Sequence, residues 1–296
     1  MVIPSWKIVY SWLPTMAEIE ITALSIYPVK SMKGIDLNEA VLTPEGLEHD
    51  RRFMVVRSDG RFVTQREWPV LALINTSLSN GCISLSRDGF GEVAIPSNRL
   101  QGDIVQTKVW GDHCETVDQG KEISRWLTAA LESDDPLRLV RMKEGFRRPQ
   151  NRAELLGEST TTFFADAAPF LVANEASLET LNEHLVAAGH QPVPMNRFRP
   201  NIVIRGLDAF AEHHLSRLDG GNYQLGFCHP CERCVVTTIN QDTAEKEPGW
   251  QPFKTLRDLN PMPGKKPAPA FGHNAILLAG AQSAVQTGNT LTGHFS

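Results

Sequence analysis

Short runs of β-branched or alternating residues, cut at close intervals by turn dipeptides, fill the first half of this chain and restrict it to a few architectures. Between Glu18 and Met142 the segments EIEITALSIY, EAVLT, RFMVVR, LALINTSL, CISLS, EVAIP and TKVW are predicted strands. Asp59-Gly60, Asn80-Gly81 and Asp88-Gly89 supply the positive φ angles of tight hairpins. Many short strands with regular turns satisfy their edges best in a barrel or a sandwich. One helix interrupts them: in EISRWLTAAL, Ile123, Trp126, Leu127 and Leu131 fall on one face.

The second half mixes the two classes. MKEGFRRPQN, at 142–151, is basic, carries Gly and Pro, and reads as a linker or mobile loop. PFLVAN, NIVIRG and VVTTIN are predicted strands, and FKTLRDL a short helix. SLETLNEHLVAAG is a predicted helix with Ser177 as N-cap and Gly189 at its C-terminal end. The expected fold is mostly β (α+β), with a few helices and two closely packed units at 18–142 and 143–296.

A chain of 296 residues, 41% hydrophobic and 21% charged, buries a core large enough to need no disulfide or zinc staple. The formal charge of −5 argues against non-specific nucleic-acid binding, which needs a broad cationic surface. Five cysteines, three of them within seven residues, do not form the even framework of a secreted protein. They point to a reducing compartment, so a cytoplasmic location is expected. The N-terminal stretch MVIPSWKIVYSWLPTM is interrupted by Lys7 and two prolines, and it reads as neither a membrane span nor a signal peptide. Met16 is a second candidate start.

Chemistry concentrates in a few places. Cys228-His229-Pro230-Cys231-Glu232-Arg233-Cys234 is a C-x2-C-x2-C run. An iron–sulfur cluster needs a fourth cysteine, and none follows. Zinc with His229 is a second reading, although adjacent Cys228 and His229 share one tetrahedron poorly. The plain alternative is that some of these thiols are small buried hydrophobes. Arg233 is expected to lower the pKa of the neighbouring Cys234 thiol. Lys30-Ser31-Met32-Lys33-Gly34, after a strand, offers ammonium groups, a hydroxyl and backbone N–H groups suited to a phosphate, or else is a solvated basic turn. Asp50-Arg51-Arg52-Phe53 is a third candidate. In Arg197-Phe198-Arg199-Pro200-Asn201, an extended backbone places Arg197, Arg199 and Asn201 on one side, as an anion grip or as a charged edge strand. No nucleophile elbow, zinc-protease, dinucleotide or P-loop signature occurs.

Taken together, these segments resemble the MOSC family, in particular its amidoxime-reducing branch and related bacterial proteins. The matching blocks are IYPVKSMKG (26–34), GLEHDRRFMVV (46–56), FVTQREWP (62–69), FLVANEASLETLN (170–182), RFRPNIVI (197–204), CERCVVTTINQDT (231–243), WQPFKTLRDL (250–259) and FGHNAILL (271–278). The resemblance implies an N-terminal β-barrel domain packed against a MOSC β-barrel domain, with a molybdenum cofactor (molybdopterin) between them. It implies that Cys234 ligates the metal and carries catalysis. Lys30, Ser31, Arg51, Arg66, Asp166, Arg199 and Asn201 then match positions around the pterin and its phosphate. Ala167 and Ala168 stand where relatives carry hydroxyl residues, and Glu232 where they carry a small polar one. The implied reaction is two-electron reduction of small N-hydroxylated substrates such as amidoximes or N-hydroxylated bases. With no cysteine beyond Cys234, electrons are expected from a separate protein such as a ferredoxin, a cytochrome b5-like protein or a flavin reductase. A cofactor or sulfur carrier without turnover is the alternative the same residues allow.

Overall fold

The first strand, Met16–Ile26, shows how alternation becomes a closed wall. Ile19 and Ile21 are buried, as are Leu24 and Ile26, so the inward set changes parity along the strand. A register shift between Ile21 and Ala23, where the strand pairs with Ile202–Arg205, keeps both sets facing the core. The protein is described here by a computed structural model covering residues 16–97, 99–148, 154, 157, 160–264 and 268–295. The N-terminal segment 1–15 and the end of the basic stretch at 149–151 lie outside the described residues.

The protein is mostly β, with 42% strand and 19% helix, arranged as a closed seven-strand barrel and a half-barrel. Around the barrel the strands run Ile202–Arg205, Phe170–Asn174, Ala270–Ala279, Gln224–Glu232, Leu215–Asp219, Thr290–Phe295 and Met16–Ile26, which closes on the first. Neighbours are antiparallel except Phe170–Asn174 with Ile202–Arg205, a parallel pair joined through the helix Glu175–Ala187. Ile21, Leu24, Phe170, Val172, Ile202, Leu218 and Leu225 fill its interior. One barrel strand thus comes from the N-terminal end of the chain. We propose folding units at 18–142 and 143–296, the first lending this strand to the barrel.

The half-barrel joins the sheet Phe53–Arg57, Leu137–Met142, Asp112–Asp118 and Ile104–Val109 to the meander Asn75–Ser79, Cys82–Arg87 and Gly91–Pro96. The Asn80-Gly81 turn has φ of 50° and 72°, as the dipeptide predicts. The helix Lys121–Ala130 lays Ile123 and Leu127 on this core, while half-buried Trp126 donates its indole N–H to Phe90 O at 3.0 Å. Among the described residues no helix is long and apolar enough to cross a membrane.

Three local expectations fail for identifiable reasons. VVTTIN is not a strand: Val235–Thr238 forms a 3-10 turn, because the Thr237 and Thr238 hydroxyls bond back to Cys234 O and Val235 O at 3.0 and 2.7 Å. LALINTSL begins as the 3-10 turn Pro69–Leu73, since Pro69 sets φ and lacks a ladder donor, and its strand starts only at Asn75. Ser177 is not an N-cap. The helix starts at Glu175, and the Ser177 hydroxyl lies inside, donating to Glu212 at 2.8 Å and accepting the Phe210 N–H at 2.8 Å.

Glu212 is 0% exposed, and burial pushes its carboxyl up to about 7, partly opposed by hydrogen bonds from Ser177 and Asn174. The folded carboxyl therefore stays protonated where the unfolded one, ordinarily near 4.5, ionises. Its contribution to stability is fully present below about pH 4.5 and is lost as pH rises through about 7. Glu212→Gln is expected to remove this slope, worth roughly 3 kcal/mol at most, so that urea midpoints near pH 5 and pH 8 converge. An unchanged difference between the two midpoints places the pH dependence elsewhere.

Candidate active site

Between barrel and half-barrel the chain turns sharply at several non-glycine residues. Ser31, Arg51, Trp110 and Arg199 have φ of 70°, 47°, 54° and 54°, in the left-handed region that side chains rarely adopt. All four line one cavity of about 480 Å³. Strained backbone gathered around one cavity is a mark of a functional site. Every site residue expected from the sequence also lines it: Lys30, Ser31, Arg51, Arg66, Asp166, Arg199, Asn201 and Cys234.

One wall grows from the end of the first strand. Val29 bridges Phe53, and the Lys30 N–H donates to Phe53 O at 2.8 Å, so Lys30-Ser31 and Arg51 arrive side by side. Lys30 is buried, with its ammonium on Phe164 O at 2.8 Å and on the Asp166 carboxylate. Burial lowers the Lys30 pKa, and Asp166 opposes it. Neighbouring protein atoms desolvate the Asp166 carboxylate only in part, since its side chain is 60% exposed. Lys30, Arg66 and the Trp110 indole N–H outweigh this desolvation and hold the group well below the usual carboxylate range. The Arg66 guanidinium lies 4.4 Å from the Trp110 ring centroid, a cation–π contact on the rim.

The Arg51 guanidinium bonds Asp50 at 2.5 Å, the Asn201 amide oxygen at 3.1 Å and Arg199 O at 3.1 Å. Asn201, 1% exposed, also accepts the Leu171 N–H at 3.2 Å and donates to Ser25 O at 3.2 Å. Its amide knits three chain segments together. Arg199 lies 4.1 Å and Arg51 4.7 Å from the centroid of the Tyr27 ring, whose hydroxyl burial pushes up to about 12. Burial, with Arg51 nearby, lowers Arg199 to about 10, so it is still a cation at neutral pH. No carboxylate lies within 4.0 Å of it among the described residues.

The backbone here is not the extended segment expected. Met195–Arg197 is a 3-10 turn and Arg199 is left-handed, so the two guanidiniums part. Arg197 is buried outside the cavity on Glu247 at 2.5 Å, and only Arg199 and Asn201 reach the site.

The opposite wall is the strand Gln224–Glu232, which shifts register at Phe227/His229 and at Pro230/Glu232. Such irregularities re-aim side chains. Cys231 and Cys234 line the cavity and Cys228 does not; burial pushes the Cys228 thiol up to about 11. Arg233 was expected to act on Cys234, but its guanidinium bonds Cys231 Sγ at 3.0 Å and Phe198 O at 2.7 Å. Among the described residues no three His, Cys, Asp or Glu side chains converge as a metal site, and only two of the three clustered cysteines line the cavity.

Sequence reasoning missed the wall residues Gln65 and Trp110, and Gln241, which bonds Gln65 from outside the lining. Gln65 and Gln241 exchange two amide bonds, each of 3.0 Å, while Gln65 also donates to Ser31 O at 2.7 Å. Trp110, at the tip between two strands, donates to Asp166 at 3.1 Å. A tryptophan before Gly111, at a turn between two strands, was the one available signal; the glutamines offer none beyond their position in matching blocks.

Residues 18–134 match the MOSC N-terminal beta barrel domain, and residues 159–292 match the MOSC domain. Mitochondrial amidoxime-reducing component 1 of Homo sapiens is 34% identical over 269 residues, covering 87% of this chain and 78% of that protein. The chain belongs to the MOSC family. Mitochondrial amidoxime reducing component 2 of Bos taurus is 31% identical, covering 85% of this chain and 77% of its own. The crystal structure of the YuaD protein of Bacillus subtilis covers 95% of this chain and 98% of its own at a TM-score of 0.38 and 10% identity, a likeness too weak to bear on the fold.

Asn201→Ala strands the Leu171 N–H and Ser25 O and frees Arg51, so a loss of about 1–3 kcal/mol is expected in urea unfolding. A shift under about half a kcal/mol shows that the amide is not what holds these segments.

Proposed function

We propose that this MOSC-family protein is a molybdenum-cofactor reductase of N-hydroxylated compounds, with Cys234 as the metal ligand. The observation that carries the proposal is the charge and donor content of the cavity. Five cationic side chains, Lys30, Arg51, Arg66, Arg199 and Arg233, line it against two acidic ones, Asp166 and Glu232, with a thiol on the facing wall. That composition fits an anionic, phosphate-bearing pterin whose metal takes a soft thiolate. The relatives named as amidoxime-reducing components support the choice of substrate.

In this reading Arg199, a half-buried cation without a carboxylate, and Arg66 grip the anionic end. Ser31 offers its hydroxyl there. Lys30 has Asp166 and Phe164 O already, so it fixes the wall as much as it contacts a ligand. Asn201 and Arg51 position Arg199 through its carbonyl. Ala167 and Ala168 bring no hydroxyl, and contacts from that turn come from backbone N–H groups. Asp166 is ionised at neutral pH, an acceptor rather than a proton source. Bound here, the cofactor supplies the redox change by which N–OH, two protons and two electrons become N–H and water. The electrons come from a separate redox protein. A reducing, cytoplasmic setting belongs to the proposal and accords with five unpaired cysteines.

Protein from a molybdopterin-producing host is expected to contain near-stoichiometric molybdenum and to reduce benzamidoxime with a reduced dye. Cys234→Ser should abolish this reduction, whereas Cys228→Ser and Cys231→Ser retain much of it, because a hydroxyl is a harder donor and far harder to deprotonate. Arg199→Ala should lose cofactor on gel filtration, by about 1.5–3 kcal/mol of binding, without unfolding. Retained turnover in Cys234→Ser overturns the assignment. Molybdenum without turnover in the wild type makes the protein a carrier.

A further inference from the structure

Next to the cavity lies a second depression of about 440 Å³ that shares Thr64, Arg66 and Trp110 with the cavity wall. Its other cations are Arg57, Arg61 and Lys108, around Phe62. The charges here run against the chain's overall −5. They are also placed by backbone rather than by flexible reach. Arg61 and Lys108 form a β-bridge, which sets two like charges side by side, an arrangement that destabilises a sheet. The hairpin carrying Arg61 is pressed on the neighbouring strand: at Gly60, φ 81°, an added Cβ would stand 2.4 Å from Gln106 O. Arg61 pairs with Asp59 at 2.6 Å and Arg57 with Glu67 at 3.0 Å. Lys108 and Arg66 have no carboxylate within 4.0 Å among the described residues. The exposed edge of Trp110 completes a cationic and aromatic rim at the cavity mouth.

We propose that this rim is the docking surface for the acidic face of a small one-electron redox protein, an inference that rests on the reductase reading. Fixed like charges beside an exposed aromatic are complementary to carboxylates around a redox centre, and such patches steer association. A nucleic acid or anionic membrane fits less well, because the patch is small and the rest of a chain of −5 repels a polyanion. A partner seated on Trp110 and Arg66 covers the cavity mouth, which brings its redox centre towards the site. Each docking oxidises one reduced partner by one electron. Two dockings and two protons from solvent break one N–O bond, leaving N–H and water.

Arg61 and Lys108 lie outside the cavity lining, so they can be changed without touching it. The test measures binding of a reduced, strongly acidic plant-type [2Fe–2S] ferredoxin to the molybdenum-loaded protein by titration calorimetry, with the double variant Arg61→Glu, Lys108→Glu beside the wild type. Wild-type affinity is expected to fall as salt is raised, and the double variant to bind about tenfold or more weaker, with Arg61→Gln, Lys108→Gln in between. Dye-driven benzamidoxime reduction and the unfolding midpoint are expected to stay unchanged in both variants. Equal ferredoxin affinity in wild type and double variant overturns the proposal, as does binding of transfer RNA or anionic vesicles in place of ferredoxin. Loss of dye-driven turnover in the wild type is a separate result: it defeats the reductase reading, whatever the calorimetry shows.

Discussion

Arg51 sits where three distant parts of the chain have to meet. Its guanidinium bonds its neighbour Asp50, the amide of Asn201 and the carbonyl of Arg199, across about 150 residues of sequence. Asp50 in turn accepts the Tyr27 N–H at 2.8 Å, and the Tyr27 hydroxyl donates to Pro200 O at 3.2 Å. The side chains of Arg51 and Asp50 are 14% and 2% exposed, so this is an ion pair largely removed from water. Breaking one partner of such a pair leaves a buried charge uncompensated, which makes the knot costly to open. It fixes the turn carrying Lys30 and Ser31 against the connection carrying Arg199, and so sets the shape of one side of the cavity. The Gln65–Gln241 pair ties the same turn and connection again, through Ser31 O and the Arg199 guanidinium.

From this follows a division of labour among the cations. Arg51 and Lys30 have partners within the protein and mainly build the wall. Arg199 and Arg66 lack carboxylates and face the cavity with charge to offer. The left-handed backbone at Ser31, Arg51, Trp110 and Arg199 is held by these same contacts, which over-determine conformations the residues would not otherwise keep. A cavity so charged and so rigid is pre-organised for an anion, and its one thiol without an arginine partner, that of Cys234, stands on the facing wall.

Many strands outside the closed barrel were legible because period-2 alternation and glycine turns are local signals. EAVLT, CISLS and EVAIP became strands, and Asn80-Gly81 a hairpin turn. Closure was not legible, since it depends on the pairing of Met16–Ile26 with strands from the far end of the chain. VVTTIN misled because two threonine hydroxyls captured nearby carbonyls, a competition that β-propensity does not register. Within the site, the family resemblance pointed to eight of the residues that line the cavity, but not to how they are used. Period-2 reasoning paired Arg197 with Arg199, and a left-handed residue separated them. Adjacency tied Arg233 to Cys234, and the fold gave it to Cys231.

On the proposed assignment, Cys234 Sγ is bonded to molybdenum. X-ray absorption at the molybdenum edge tests this directly, on loaded wild-type protein and on Cys234→Ser with cofactor retained. One sulfur neighbour fewer is expected in the variant, replaced by a lighter atom, while Cys231→Ser matches the wild type. Identical molybdenum–sulfur scattering in wild type and Cys234→Ser would contradict it.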